Sequence, residues 1–397
     1  MSFAPIPGTR SYLVPPEYLF GPGSSREHLS NIEEDRVFLV TDIPAMETAG
    51  HLGRVMDILK SGTGRTVGTL SIEAEPSFQV LKAAVEAVRR FSPERIVALG
   101  GGSVMDTAKA LWRLSEDRSQ DPEDFLQSGP VFPQGGRTSC RLSAIPTTSG
   151  TGSEVTCAAV FTEKDGSRKR LLLSPLLVPG TAVLDPDLTL SMPPRVAAAS
   201  GFDAFVHAVE SYLCSVATPF SRSCAVEAVR LVFSSLKESC ASGNPVAREA
   251  MHYAASLAGL AISNSCTGVT HSLDQVGIRF HLPHGIILAP LALPMLEVAA
   301  AGAPARLADL ASAAGIDFDP GANTDDKARL FIERTAGIIS SLGLPLSFSE
   351  LGIDEHEYNG ASEEILSGAF EAFATRVFPS ALTREDLSVL LKKAYRG

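Results

Sequence analysis

The feature that most restricts how this chain can fold is a change of periodicity near its middle. From residue 36, short β-branched runs alternate with amphipathic segments. RVFLVTD (36–42), RTVGTL (65–70) and RIVALGG (95–101) read as buried strands, and FQVLKAAVEAVRRF (78–91) and VMDTAKALWRL (104–114) as the helices between them. That alternation implies a parallel, doubly wound sheet with right-handed crossovers. TAVLDPDLTLSMPP (181–194) reads as a last strand closing on Pro193 and Pro194. Beyond it the signals are almost all helical, as in AVEAVRLVFSSLKESC, AREAMHYAASLAGLAIS, PARLADLASAAG, DKARLFIERTAGIISSL and TREDLSVLLKKAY. The expected division is therefore an α/β half over residues 1–194 and an all-α half over 195–397. A length of 397 residues suits two cores better than one.

A net charge of −11 without a Lys/Arg block argues against nucleic acid or an anionic membrane as partner. MSFAPIPGTRSYLVPP has no long apolar stretch behind a basic start, so no signal peptide is expected. The run IILAPLALPML (286–296) reads as too short and too proline-broken to cross a bilayer. Six scattered cysteines without a C-x-x-C pair suggest reduced thiols in a cytoplasm.

Two loops in the α/β half have the composition of phosphate cradles. GGGSVMDTAKA (100–110) follows a strand and opens a helix, where glycines permit close approach and free N–H groups favour an anion. It is neither G-x-G-x-x-G nor a P-loop, and Ser103 with Asp106 also fits a simple capping box. IPTTSGTGSEVT (145–156) offers hydroxyls and amides to a phosphate or ribose, or serves as a solvated turn. Together they favour a dinucleotide. Asp42, ending a strand, suits adenosine ribose hydroxyls and hence NAD over NADP, or caps the next helix.

In the helical half, Asp203 and His207 are four residues apart and share one helix face. HSLDQVGIRFHLPHG (271–285) supplies three of the eight histidines. His271 follows a helix on a bend allowed by Gly268, and His284 sits between Pro283 and Gly285. One carboxylate and three imidazoles would suit Fe²⁺ or Zn²⁺ better than Mg²⁺ or Ca²⁺. The alternative is that the histidines cap helices or sit satisfied in the core.

GGGSVMDTAKA, PTTSGTGSEVT, DAFVHAVE and PHG, in that order, resemble the iron-containing (group III) alcohol dehydrogenase family. The resemblance runs from SYLVPPEYLFGPG to TREDLSVLLKKAY. It implies a Rossmann-like amino-terminal domain, a helical carboxy-terminal domain of dehydroquinate synthase-like architecture, and an active site between them. By that resemblance Asp203, His207, His271 and His284 are metal ligands, with ferrous iron ahead of zinc. Gly101, Gly102, Ser103, Asp106, Thr147, Thr148, Thr151 and Lys169 become cofactor contacts with Asp42, for NAD or else NADP. The implied reaction is hydride transfer between nicotinamide and an alcohol or aldehyde, in a homodimer or larger oligomer.

One departure stands out. The family often reads His-x-x-x-His at the first metal histidine, with the later ligand fourteen positions on. Here Gln275 replaces the second histidine and His284 arrives after thirteen. The proton route through that histidine is left open. His281, taken as catalytic alongside Asp106, is its substitute, or packs behind the ligands. Arg279 is the candidate for binding an anionic aldehyde, or points into solvent. Two rival readings remain: a metal- and NAD-dependent lyase resembling dehydroquinate synthase, and a cofactor-binding scaffold that has lost activity. Glycerol dehydrogenase is a nearer relative that the His207 position fits less well.

Overall fold

A computed structural model describes residues 11–72, 77–129, 140–163 and 169–397. The first ten residues of the stretch read above for a signal peptide lie outside the described residues. The strands are β1 (Glu17–Phe20), β2 (Arg36–Thr41), β3 (Thr66–Ser71), β4 (Arg95–Gly100), β5 (Arg141–Pro146), β6 (Ala158–Thr162), β7 (Lys169–Leu173) and β8 (Thr181–Leu184). Six of them form one sheet in the order β1-β8-β5-β4-β2-β3, with every pairing parallel.

The apolar runs are continuous because the central strands are covered on both faces. All six residues of β4 are buried, whereas edge strand β3 has none buried. Alternate residues point opposite ways. Phe38, Val40, Ile96 and Ala98 pack with the helices Phe78–Phe91 and Gly102–Glu116. Val37, Leu39, Val97 and Leu99 pack instead with Leu29, Val55 and Leu59 from the helices Ser24–Ser30 and Leu52–Lys60. The chain runs from β2 out to the edge at β3, then returns to β4 on the other side of β2. Strand order reverses there, and the crevice at the carboxyl ends of β2 and β4 is where such sheets take ligands.

The second half is helical. Among the described residues its core draws only on those from Ala198 onward and is built around the helices Pro194–Leu213, Pro219–Ala241, Pro245–Ser263 and His284–Gly302. The run 286–296 corrects the reading made from sequence. It belongs to a 19-residue helix, long and apolar enough to cross a membrane by length and composition alone. Packing explains the composition: Ile287, Leu288, Leu291, Met295 and Leu296 are each at most 1% exposed inside the helical core. Pro290 and Pro294 lie within this helix rather than ending it.

Among the elements that escaped the sequence reading are edge strand β1, the antiparallel pair β6–β7, the helices Ser24–Ser30 and Leu52–Lys60, and the helix Glu355–Glu371. The final strand is also shorter than expected, ending at Leu184 before a 3₁₀ turn at Pro186–Thr189. The halves meet where Val155 and Ala182 pack on Leu260. Beside that contact, Gly152 adopts φ 62°, and a Cβ there would stand 2.5 Å from Gly259 Cα.

Candidate metal centre and cofactor cleft

Asp203 lies within the long helix Pro194–Leu213, and one of its oxygens is the meeting point of three imidazoles. His207, one turn on, brings Nδ1 to 3.5 Å of Asp203 Oδ1. His271, in the four-residue helix Val269–Ser272, brings Nε2 to 3.4 Å of the same oxygen. His284, the first residue of the helix His284–Gly302, brings Nε2 to 3.6 Å. The one-residue-shorter segment between His271 and His284 therefore does not keep the two apart. The His207 and His271 rings stack at 4.4 Å and 13°.

These separations suit coordination better than mutual hydrogen bonding. Asp203 Oδ1, His207 Nδ1 and His271 Nε2 are buried and have no hydrogen-bond partner. Donor atoms about 2.0–2.2 Å from one cation stand roughly 3–3.5 Å from one another. Burial works to raise the Asp203 carboxyl, yet the three histidines hold it well below the usual range. Burial, outweighing Asp203, pushes His207 down to about 4, so this imidazole stays neutral, the form that ligates. A carboxylate and three imidazoles with orphaned atoms fit a divalent transition metal.

Two carboxylates absent from the sequence-derived set hold the imidazoles. Glu210 lies seven residues after Asp203 on the same helix. It accepts hydrogen bonds from the main-chain N–H of Gly268 at 2.7 Å and of Thr270 at 2.6 Å, and faces His271 Nδ1 at 2.6 Å. Burial opposes a charge on His271, but Glu210 and Asp203 lift it to about 10. Gly268 is needed here for room rather than for a bend: a Cβ would stand 2.8 Å from the Glu210 carboxyl carbon. Asp274 Oδ2 lies 3.3 Å from His284 Nδ1 and 3.3 Å from Lys169 Nζ. Burial works against its ionisation, but Lys169 and His284 hold its carboxyl down at about 2. Carboxylates behind ligating histidines fix ring orientation and raise basicity. The spacing Asp203–His207–Glu210 marks one helix face and was readable from DAFVHAVE. No local pattern marked Asp274.

The cluster opens into a cavity of about 310 Å³, lined also by Gly102, Ser103, Thr151, Ile262 and Gln275. A neighbouring cavity of about 490 Å³ shares Gly102 and Ser103 and is lined by Asp42, Gly101, Thr147 and Thr148. The start of the helix Gly102–Glu116 thus sits at the junction of two chambers. Its N-cap, Gly101, makes no side-chain capping bond, so the Ser103–Asp106 capping box does not form. A Cβ on Gly102 would stand 2.9 Å from Thr151 Cγ2, which shows how closely the two loops approach.

Several expected contacts differ in detail. Asp42 caps the helix Ile43–Thr48 by accepting from Ala45 N at 3.0 Å, and it also lines the larger cavity. Lys169 lines the metal-side cavity but is engaged by Asp274. Asp106, read as catalytic, is fully committed. One of its oxygens accepts from Ser153 Oγ at 2.6 Å and the other from Val160 N at 2.8 Å, so it holds the cavity wall. His281 is exposed, at φ 54° in the turn before Pro283, and does not line the cavity. Arg279 is likewise exposed and lies over the Phe280 ring.

Residues 15–186 match the sequence profile of iron-containing alcohol dehydrogenases, and residues 197–395 the C-terminal profile of the same family. The chain belongs to the iron-containing alcohol dehydrogenase family. It is 34% identical over 410 residues to aldehyde-alcohol dehydrogenase 2 of Entamoeba histolytica, covering 97% of this chain and 46% of that one. It spans about half the length of the first curated relatives it matches. The NADPH-dependent butanol dehydrogenase of Clostridium saccharobutylicum is 30% identical, with 97% of this chain and 98% of that protein covered. The solved iron-containing alcohol dehydrogenase of Thermococcus thioreducens superposes with a TM-score of 0.86 at 31% identity, over 98% of this chain and all of that one. The family uses NAD(P) and ferrous iron.

Proposed function

We propose that this protein is a metal-dependent, NAD(P)-linked alcohol dehydrogenase or aldehyde reductase. The observation that carries the reading is the convergence of Asp203, His207, His271 and His284 in a cavity joined, at an uncapped helix start, to a second chamber. Residues 1–194 serve the cofactor and residues 195–397 the metal and substrate.

A ferrous ion held by those four side chains would supply a Lewis acid for an alcohol or aldehyde oxygen, and NAD(P) a hydride carrier. The protein's own part is placement. Gly101, Gly102 and Ser103 offer main-chain N–H groups and the positive end of a helix to a pyrophosphate. Thr147, Thr148 and Thr151 wall the same junction, and Asp42 stands where ribose hydroxyls of NAD would be recognised. Glu210 and Asp274 fix the rings of His271 and His284. Asp106 positions the loop bearing Ser153 and the strand bearing Val160. Ile262, Leu171 and Val160 give the reaction chamber apolar walls that limit water. His281 takes no reacting part in this scheme. The reading extends to a homo-oligomer and to a reducing cytoplasm, the latter supported by six free cysteines.

The direct test is to strip the protein with chelator, restore Fe²⁺ or Zn²⁺, and follow NADH absorbance with a panel of alcohols and aldehydes. Turnover should depend on added metal, and His271→Ala should lower it by about a hundredfold or more, since loss of even a group behind a metal ligand costs about 10–100-fold. Equal turnover in the metal-free and metal-loaded protein would end the reading.

A further inference from the structure

Lys109 is 0% exposed and lines neither chamber of the cleft. Its ammonium donates to Thr156 O at 3.1 Å, to Thr156 Oγ1 at 3.0 Å and to Ala158 O at 2.7 Å. Three N–H groups thus meet three acceptors. Burial pushes the ammonium down to about 8 against the pull of Asp106 and Glu154, so it keeps its charge at neutral pH. Lys109 stands one turn after Asp106 on the helix Gly102–Glu116, and both side chains reach the same segment. Asp106 accepts from Ser153 Oγ and Val160 N at its two ends, and Lys109 donates to its middle. Ser153, Thr156, Ala158 and Val160 all line the chamber of the converging histidines. Between the two residues that Lys109 holds, Cys157 N donates to Ser263 Oγ of the helical half at 3.0 Å.

Lysine is almost never fully buried unless paired, and a buried charge is weak evidence for stability, since a well-packed apolar chain of like volume often serves as well. What the ammonium adds is direction: it fixes where the chamber wall stands relative to the start of its helix. That start faces the pyrophosphate of the cofactor, and the helical half holds the substrate oxygen. The gap between nicotinamide C4 and the reacting carbon therefore depends on how firmly these two supports are joined. We infer that Lys109 is a positioning residue for hydride transfer, fastening the cofactor-side helix to the segment 153–160 and, through Cys157, to the helical half. It acts without touching substrate, cofactor or metal. This inference rests on the dehydrogenase reading above.

The test is a stopped-flow single turnover on the metal-loaded enzyme, with excess aldehyde and limiting reduced cofactor, NADH or NADPH, whichever the parent uses faster. The amplitude counts intact sites, and the rate constant reports the transfer step. Lys109→Met, which keeps length and removes the donors, should lower the rate constant about 10–100-fold, the scale expected of a misplacement near 1 Å. Amplitude, bound metal and cofactor affinity should stay within about threefold of the parent. Deuterium at the transferred C4 position should slow the phase in both proteins. Lys109→Gln, which keeps two of the three N–H groups, should lie between them and carries the test should the methionine variant fail to fold. A reduced amplitude with an unchanged rate constant overturns the inference and makes Lys109 a support of the fold alone. A weakened cofactor affinity with an unchanged rate constant at saturation overturns it as well, as does a variant phase insensitive to deuterium. Failure of the parent to reduce any aldehyde of the panel breaks the dehydrogenase reading itself and takes this inference with it.

Discussion

On the sheet side, the cleft is walled by main chain, glycines and hydroxyls at the ends of β2, β4 and β5; on the helical side, by converging ionisable side chains, two of them backed by a carboxylate. The first surface depends on backbone path. A Cβ on Gly102 would press on Thr151, and one on Gly100 would stand 2.7 Å from Val104 Cγ2, but few side chains there are irreplaceable as chemistry. The second depends on side-chain identity: Asp203, His207, His271 and His284 meet at one point, with Glu210 and Asp274 behind two of them. Substitution should therefore act locally and by shape on one side, and through charge and orientation on the other.

The largest effect that sharpens this contrast is expected at Glu210. Glu210→Gln keeps the shape but weakens the hold on His271, and metal affinity should fall about 10–100-fold in a chelator competition with Co²⁺ or Zn²⁺. An affinity within twofold of the parent would show that the helical side tolerates loss of its supporting charge. A smaller effect is expected at Asp42, where one carboxylate serves two purposes. Asp42→Ser removes the charge and keeps a good helix cap, so the ratio of kcat/KM with NADP to that with NAD should rise about tenfold. No change in this ratio would reduce Asp42 to a capping residue.

The smallest effect concerns His252, which joins the two sides without touching the chemistry. Its Nδ1 lies 3.1 Å from Ser149 Oγ of the sheet half, and burial pushes its pKa from 6.5 down to about 4. Between those values the unfolded chain binds a proton that the folded protein does not, so stability is fully present above about pH 6.5. It is lost as the pH falls toward 4. Urea titrations across that window should show the decline, and His252→Gln should flatten it by up to one proton's worth of slope. Parallel curves for the two proteins would mean that the acid response arises elsewhere.

How much of this was legible beforehand follows the range of the signal. Strands β2 and β4 and the helix Phe78–Phe91 announce themselves because alternation and helical spacing are local. Strand β1 does not, since its four residues pair with β8 about 160 positions later and lie at an edge with a mixed burial pattern. The four converging residues were readable through the order of their motifs. Glu210 lay in plain view on the same helix face as His207, but its importance comes from Gly268 and Thr270, which belong to another segment. Asp274 and Lys169 lie 105 positions apart and come together only where the two halves meet. Asp106 shows the converse: the motif marks the carboxylate, but not that its two oxygens accept from Ser153 and Val160 in segments about 50 residues away.

Gly152 and Gly259 touch backbone to backbone where the halves join. The aperture between sheet and helices is consequently gauged by two peptide chains with nothing compressible in between. An alanine at either position would act as a shim, forcing the joint open by roughly the thickness of a methyl group. Everything that spans the gap, from Lys169 on Asp274 to a dinucleotide lying across both chambers, would then have to reach farther.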